Sequence, residues 1–327
     1  AGETPCSTGF SIRHTTRNFP NRDGSKPNAG QWSAVALMDA RSIAATAANG
    51  GRITSAFEYA DRLKEHEPYV FDGSIYARRV YNGFGHPKPE ISLQYGPNIK
   101  PWPEIAPLAD NQLLFVASVI NDPVTTTDEL IPSGETSSLR SNPLKLAEFA
   151  LQRKDPNYVP NAKTAKALET ARAQAVKNSS PVPEDAAKLL AAAGFDAANT
   201  AFGSLVCAVK PGDGSAREQA ASSQKMLLGE ANVAREYATK RYRSNLVNWG
   251  MAPWIVSDED RAKFRVGQWL AIKGVRAFVA GSGTEIAAEL IDGDKKLPVT
   301  LTLPGITEGE RKMILAGCLM NAYRNER

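Results

Sequence analysis

Histidine and cysteine are scarce in this 327-residue chain, with three of each. Cys6, Cys207 and Cys318 lie far apart, and no Cys-x-x-Cys pair occurs. Neither a disulfide framework nor a self-contained zinc or iron–sulfur site can be assembled from them, so no metal ligands are assigned and a reducing compartment fits best. His14, His66 and His86 all precede the second half of the chain, which leaves any serine there without a triad histidine. His66 and His86 sit in polar sequence and are expected at the surface. No run approaches the roughly 18 apolar residues of a membrane helix, and the opening Ala1-Gly2-Glu3-Thr4-Pro5 has no basic or apolar leader pattern. A chain without an initiator Met is expected to be processed or partial. A net charge of +4, from 39 basic and 35 acidic residues, is too small to imply a polyanionic partner.

What is present is an ordinary globular composition, 42% hydrophobic and 23% charged, long enough for two domains. Residues 1–30 read as loop. Residues 34–48 (AVALMDARSIAATAA) have helical periodicity and end at Asn49-Gly50-Gly51, which predicts one buried helix. From about 61 to 107 the chain is Tyr- and Pro-rich, and is read as an inter-domain connection. Buried strands are expected at 113–120 (LLFVASVI), 202–209 (FGSLVCAV) and 269–272, with a hairpin of 286–291 and 299–303 about Asp292-Gly293-Asp294. Helices are expected at 143–152, 162–177 and 183–193. A last one, at 307–323, opens on a capping box of Thr307 and Glu310.

Three segments combine arginines with glycine turns or small polar residues: 15–22, 126–143 and 214–217. The guanidinium fork matches carboxylate or phosphate bidentately, so such loops suit a small polyanionic substrate, although surface salt bridges are the alternative for any single arginine. The turn Gly212-Asp213-Gly214-Ser215 follows a predicted strand and precedes a helix, an anion-binding arrangement that can equally be a plain N-cap. With no histidine at hand, Ser215 is a candidate proton acceptor whose alkoxide Arg217 and the helix N-terminus would stabilise.

The segments RHTTRNFPNRDGSKP (13–27), TTDELIPSGETSSLRSNP (126–143), GDGSAREQAA (212–221) and ANVAREYATKRYRSNLVNWGMAPW (231–254) resemble, in the same order, the C-terminal half of the aconitase superfamily, especially its aconitase-like hydratases. The resemblance spans most of residues 10–325. It implies an α/β fold: residues 1–60 as the end of a third α/β domain, 61–107 as the connection, and 108–327 as a swivelling β/β/α domain. It implies a hydro-lyase or isomerase that moves water across a double bond of a di- or tricarboxylic acid with a [4Fe–4S] cluster whose ligands are not in this chain. The family's Arg-Asn-Phe-x-x-Arg motif falls on Arg17 and Arg22, and the arginine after Thr-Thr-Asp on Arg140, all as carboxylate ligands. Thr-Thr-Asp itself falls on Thr126, Thr127 and Asp128, placing Asp128 with Ser215 among the catalytic residues. Gly-Ser-Ser-Arg-Glu falls on Gly214 to Glu218, making Ser215 the base and Arg217 its partner in binding substrate.

Two departures set the chain apart from aconitases proper: Ala216 replaces the motif's second serine, and Glu129-Leu130 replaces His-Ile. The family's cluster cysteines and first-domain histidines are absent, so the resemblance further implies an N-terminal cluster-bearing partner chain or remainder of the polypeptide. It places the protein in the cytoplasm or mitochondrial matrix. The alternative is a non-catalytic module that binds carboxylates or RNA, resting on the basic run Lys240-Arg241-Tyr242-Arg243. A solvated helix face is the plainer account of that run, and nucleic acid is not expected as a partner.

Overall fold

The computed structural model describes residues 38–62, 68–79, 85–92 and 94–325. Arg17, Arg22, Cys6, His14 and His66 lie outside the described residues. The chain divides into two compact units, Ala1–Gln94 and Tyr95–Arg327. In the first, α1 (Ala40–Ala48) starts at Asp39, whose carboxylate accepts from the Arg41 and Ser42 amides. Those bonds, with one from the Ser42 hydroxyl, hold Asp39 below the usual carboxylate range. The turn after α1 is closed by Thr46 and Asn49, both bonded to Thr54. An irregular helical stretch (Ala56–Arg62) and α2 (Ser74–Arg79) follow. Within α1 the buried residue is Ala45, so this stretch of the predicted 34–48 helix is mostly solvent-facing. Alanine side chains give such a helix little apolar area to bury.

The second unit runs β1 (Asn111–Ile120), β2 (Thr125–Thr126), α3 (Thr127–Leu130), α4 (Pro143–Ala147), α5 (Tyr158–Lys177), α6 (Glu184–Ala193), β3 (Thr200–Ala208), β4 (Pro211–Asp213), α7 (Arg217–Met226) and β5 (Gly229–Ala234). It continues with α8 (Lys240–Asn248), β6 (Ala252–Ile255), α9 (Asp258–Arg261), β7 (Trp269–Ile272), α10 (Val275–Ala280), β8 (Glu285–Asp292), β9 (Lys295–Thr302), α11 (Glu308–Ala316) and α12 (Leu319–Asn325). Seven strands close a barrel in the order β1-β3-β5-β6-β9-β8-β7, with β7 returning to β1. The run β1-β3-β5-β6 is parallel and the other pairings are antiparallel.

Alternate residues of every barrel strand meet in one apolar cluster, among them Leu114, Leu205, Val233, Trp254, Leu270, Leu290 and Leu301, which is the barrel interior. The intervening positions of β1 and β3 face helices: Ala117, Val206 and Ala208 pack with Leu146, Tyr158, Met226 and Leu246. Leu113 and Phe202 join Leu190 and Trp269. Burial on both faces explains why β1 and β3 read as continuous apolar runs. The mixed α/β class follows from these layers, and the strands expected at 113–120, 202–209, 269–272 and in the hairpin are all present.

Residues 95–107 pack with the second unit. The Lys100 amide donates to the Ser141 carbonyl (2.8 Å), Trp102 stacks on Trp249 (centroids 4.5 Å), and Asn321 Nδ2 donates to the Ile105 carbonyl (2.8 Å). Proline in this stretch bars regular structure without barring packing. The helix expected at 143–152 stops at Ala147. The one expected at 307–323 keeps its capping box but breaks into α11 and α12 at Gly317, where φ is +85°. A Cβ there would sit 2.1 Å from the Ala106 carbonyl oxygen. Gly317→Ala is expected to cost about 2–4 kcal/mol through the clash and the left-handed backbone together, read as a lower urea midpoint at unchanged m.

Candidate functional site

Two neighbouring parallel strands, β1 and β3, end on the same side of the barrel, and the chain leaving each pairs again as β2 and β4. Thr125 faces Pro211 and Thr126 faces Asp213, with the Thr125 amide donating to the Lys210 carbonyl (3.0 Å). This short ladder sets the Thr126-Thr127-Asp128 segment beside the turn that carries Ser215. It lies beyond the carboxyl ends of the parallel strands β1 and β3.

On the first loop, Thr126 and Glu129 form a capping box: the Thr126 amide donates to Glu129 Oε2 (2.7 Å) and the Glu129 amide to Thr126 Oγ1 (3.3 Å). Glu129 also pairs with Lys154 (3.3 Å). Glu129 is thus committed to holding the loop. The Thr-x-x-Glu spacing could have disclosed this from sequence. Asp128 is half-buried and accepts from the Ser133 hydroxyl (3.3 Å). Arg140 is exposed just before α4, which packs on α7, and makes no ion pair among the described residues.

On the second loop, Gly212 has φ of +97°, and a Cβ on it would lie 2.2 Å from the Tyr242 ring. The close approach is fixed by the start of α8: the Ala238 amide donates to the Pro211 carbonyl (3.0 Å), and the Thr239 hydroxyl to the Gly212 carbonyl (3.3 Å) while capping the Tyr242 amide. Below the ring, the Tyr242 hydroxyl donates to Asn232 Oδ1 (2.9 Å) and accepts from Gln224 Nε2 (3.0 Å), and Asn232 Nδ2 donates to Gln224 Oε1 (2.7 Å). This buried triangle, which sequence reasoning did not find, ties α7, β5 and α8 to the glycine turn. Burial holds the Tyr242 phenol well above its ordinary pKa, so it stays a neutral donor.

Ser215 is exposed, and its hydroxyl has no hydrogen-bond partner among the described residues. The N-cap of α7 is Ala216, with no side-chain cap, so the plain-cap reading of Ser215 does not hold. Arg217 is half-buried with an unpartnered Nε. Its pKa is lowered, chiefly by desolvation and then by the Arg241 guanidinium, while Asp213 acts against both. Glu218 is turned aside, accepting from Trp249 Nε1 (3.2 Å). The ladder thus sets the loop of Asp128 beside the turn of Ser215 and Arg217, and Asp213 and Arg241 both act on the Arg217 charge, which sequence reasoning had not foreseen.

The basic run at 240–243 is not one face. Tyr242 is buried, and Arg243 is held by the Pro304 carbonyl (2.9 Å) and Glu310 (3.6 Å). The described residues do not fit an iron–sulfur cluster: no group of three possible ligands occurs among them, and Cys207 lies in the barrel core. His86 is exposed.

No family model matches this chain, and no curated protein matches it. Among solved structures it is similar to the crystal structure of 3-isopropylmalate dehydratase (leuD) from Methanocaldococcus jannaschii DSM2661. The similarity covers 66% of this chain and 95% of that one at 18% identity, with a TM-score of 0.41. A likeness this distant assigns neither activity nor partner.

Burial pushes the Cys207 thiol up to about 12. Because the thiolate is the reactive form, Cys207 is expected to resist iodoacetamide at pH 9 in the native protein and to label fully in denaturant, read by peptide mass mapping. Tyr242→Phe leaves Asn232 Oδ1 without its donor and is expected to cost about 1–3 kcal/mol in urea denaturation.

Proposed function

We propose that this chain is the C-terminal portion of an aconitase-like hydratase, acting on a di- or tricarboxylic hydroxy acid together with an N-terminal partner chain or remainder. The observation that carries the reading is the β2–β4 ladder, which joins the loop of Asp128 to the turn of Ser215 and Arg217. In this reading any iron–sulfur cluster is held outside this chain.

Ser215 is the base that takes the proton from the carbon alpha to a carboxylate. A serine hydroxyl is a weak base, and what makes it usable is a positive environment for its alkoxide. Arg217 and the uncapped start of α7 provide one. Arg217 binds a substrate carboxylate through its fork and offsets the charge that builds on that group as the carbon is deprotonated. Arg140, on the loop before α4, takes a second carboxylate. Asp128, beside the glycine turn, accepts hydrogen bonds from the substrate hydroxyl or from Ser215 and orients them.

The test uses the full chain co-purified with its N-terminal partner or remainder, following hydration of unsaturated di- and tricarboxylic acids by loss of the conjugated double bond's absorbance. Ser215→Ala is expected to lower kcat by about 100-fold or more with KM changed by only about twofold, as for loss of a positioned base. Unchanged kcat in that variant would overturn the role of Ser215. Turnover by this chain alone would overturn the dependence on a partner, and carboxylate binding with no turnover would favour a non-catalytic carboxylate module.

A further inference from the structure

At the carboxyl ends of the parallel strands, α9 and the turn after it fold over the barrel. Phe264 belongs to the interior cluster, and Val119, near the end of β1, packs against that cluster. Together with Asn121, Arg261, Arg265 and Val266 they line a cavity of about 470 Å³. Cavities of this size are typical of small-molecule sites, for which the mouths of β-barrels are a preferred place. Arg261 Nη1 donates to Asn121 Oδ1 (3.0 Å). Asn121 directly follows β1, whereas Arg261 ends the helix that follows β6, and those two strands are not neighbours in the barrel. The bond therefore spans the mouth and orients the guanidinium plane. It uses one nitrogen of three. Arg261 Nε is buried without a partner, and Nη2 has no hydrogen bond among the described residues. A buried donor left unpaired is rare in folded proteins, and Nε with Nη2 is an edge on which a guanidinium takes a carboxylate by two parallel bonds. The acids nearby in sequence are already engaged: Asp258 with Arg235 (3.5 Å), Asp260 with Lys263 (2.6 Å) and the Thr300 amide (2.9 Å), and Asp122 with Lys154 (2.7 Å). Arg265 brings a second positive charge, its Nη1 donating to the Ala262 and Phe264 carbonyls (2.5 and 2.8 Å). Among the described residues no acid lines the cavity. One oriented fork, a second cation and an apolar wall together suit a ligand with one anionic head and an apolar body.

We propose that this cavity binds a small amphipathic monocarboxylate. Its head takes Nη2 of Arg261 and, with a modest rotation of that side chain, Nε, while its body lies along Val119, Phe264 and Val266 over the barrel mouth. The cavity shares no lining residue with the Ser215 turn, and the proposal stands independently of the hydratase reading.

The test is calorimetric titration of the full chain with hexanoate, acetate and hexan-1-ol. The wild type is expected to bind one hexanoate, and to bind acetate, which lacks the body, and the alcohol, which lacks the charge, at least about tenfold more weakly. Arg261→Gln should weaken hexanoate about tenfold or more, and Arg261→Lys, which keeps the charge without the fork, should fall between. Because Arg261 also ties α9 to β1, a second variant leaves that bond in place: Val266→Glu, on the exposed rim, puts a rival carboxylate in the cavity and should weaken hexanoate about tenfold or more at an unchanged urea midpoint. Arg217→Gln should change it by no more than about twofold. Hexan-1-ol binding as tightly as hexanoate would mean a merely apolar trap and overturn the assignment. Unchanged hexanoate affinity in Arg261→Gln or in Val266→Glu would overturn it too, as would loss in Arg217→Gln alone, which would move the carboxylate to the Ser215 turn. Failure of the wild type to bind hexanoate overturns it outright and leaves the hydratase reading standing.

Discussion

The contact between Gly212 and the ring of Tyr242 is the constraint on which the rest of this site depends. Only a residue without a side chain can occupy that position, because the ring lies where a Cβ would be and the backbone is left-handed. The ring stays there because its hydroxyl closes a buried triangle with Gln224 and Asn232, in which Tyr242 both donates and accepts. Those three side chains come from α8, α7 and β5. The turn that presents Ser215 is therefore not an independent loop but the place where two helices and a strand are fastened together. A buried polar network is stable only when its members are satisfied, and such a network also admits a single arrangement.

A second layer of organisation follows from topology. Parallel strands β1 and β3 must send their chains out at the same end, so β2 and β4 meet there and carry two distant stretches of sequence into register. The Thr126–Glu129 capping box stiffens one loop, and the bonds from Ala238 and Thr239 stiffen the other. Some basic side chains of this unit are matched, as in Arg243 with Glu310 and Lys154 with Asp122. Beside Ser215, Arg217 has a buried, unpartnered Nε at the start of a helix that lacks a side-chain cap.

Much of the barrel was legible because its strands obey simple patterning. The runs at 113–120 and 202–209 are apolar on both faces, since the barrel interior and the helices bury them from opposite sides. The hairpin about Gly293 announces itself by its turn. β5 and β6 were not legible as strands: each is short, and Asn232 interrupts the apolar pattern of β5 because it serves the buried triangle rather than the core. The break at Gly317 was equally hidden, since the Ala106 carbonyl that occupies the space beside it comes from more than two hundred residues away. The prolines at 95–107 were rightly read as excluding regular structure, but the docking of that segment through Trp102 and Ile105 depends on partners at 249 and 321 that no local rule connects.

The sequence by itself determined the mixed α/β class, the capping box of Thr307 and Glu310 and the glycine turn ahead of Ser215, because each of these is set by residues within a few positions of one another. Only the tertiary structure decided that the loops of Asp128 and Ser215 leave one short ladder side by side, that Glu129 is a structural cap and that Tyr242 is a buried anchor. Those outcomes depend on which strand pairs with which and on what each side chain meets after burial, and proximity of that kind is created by folding.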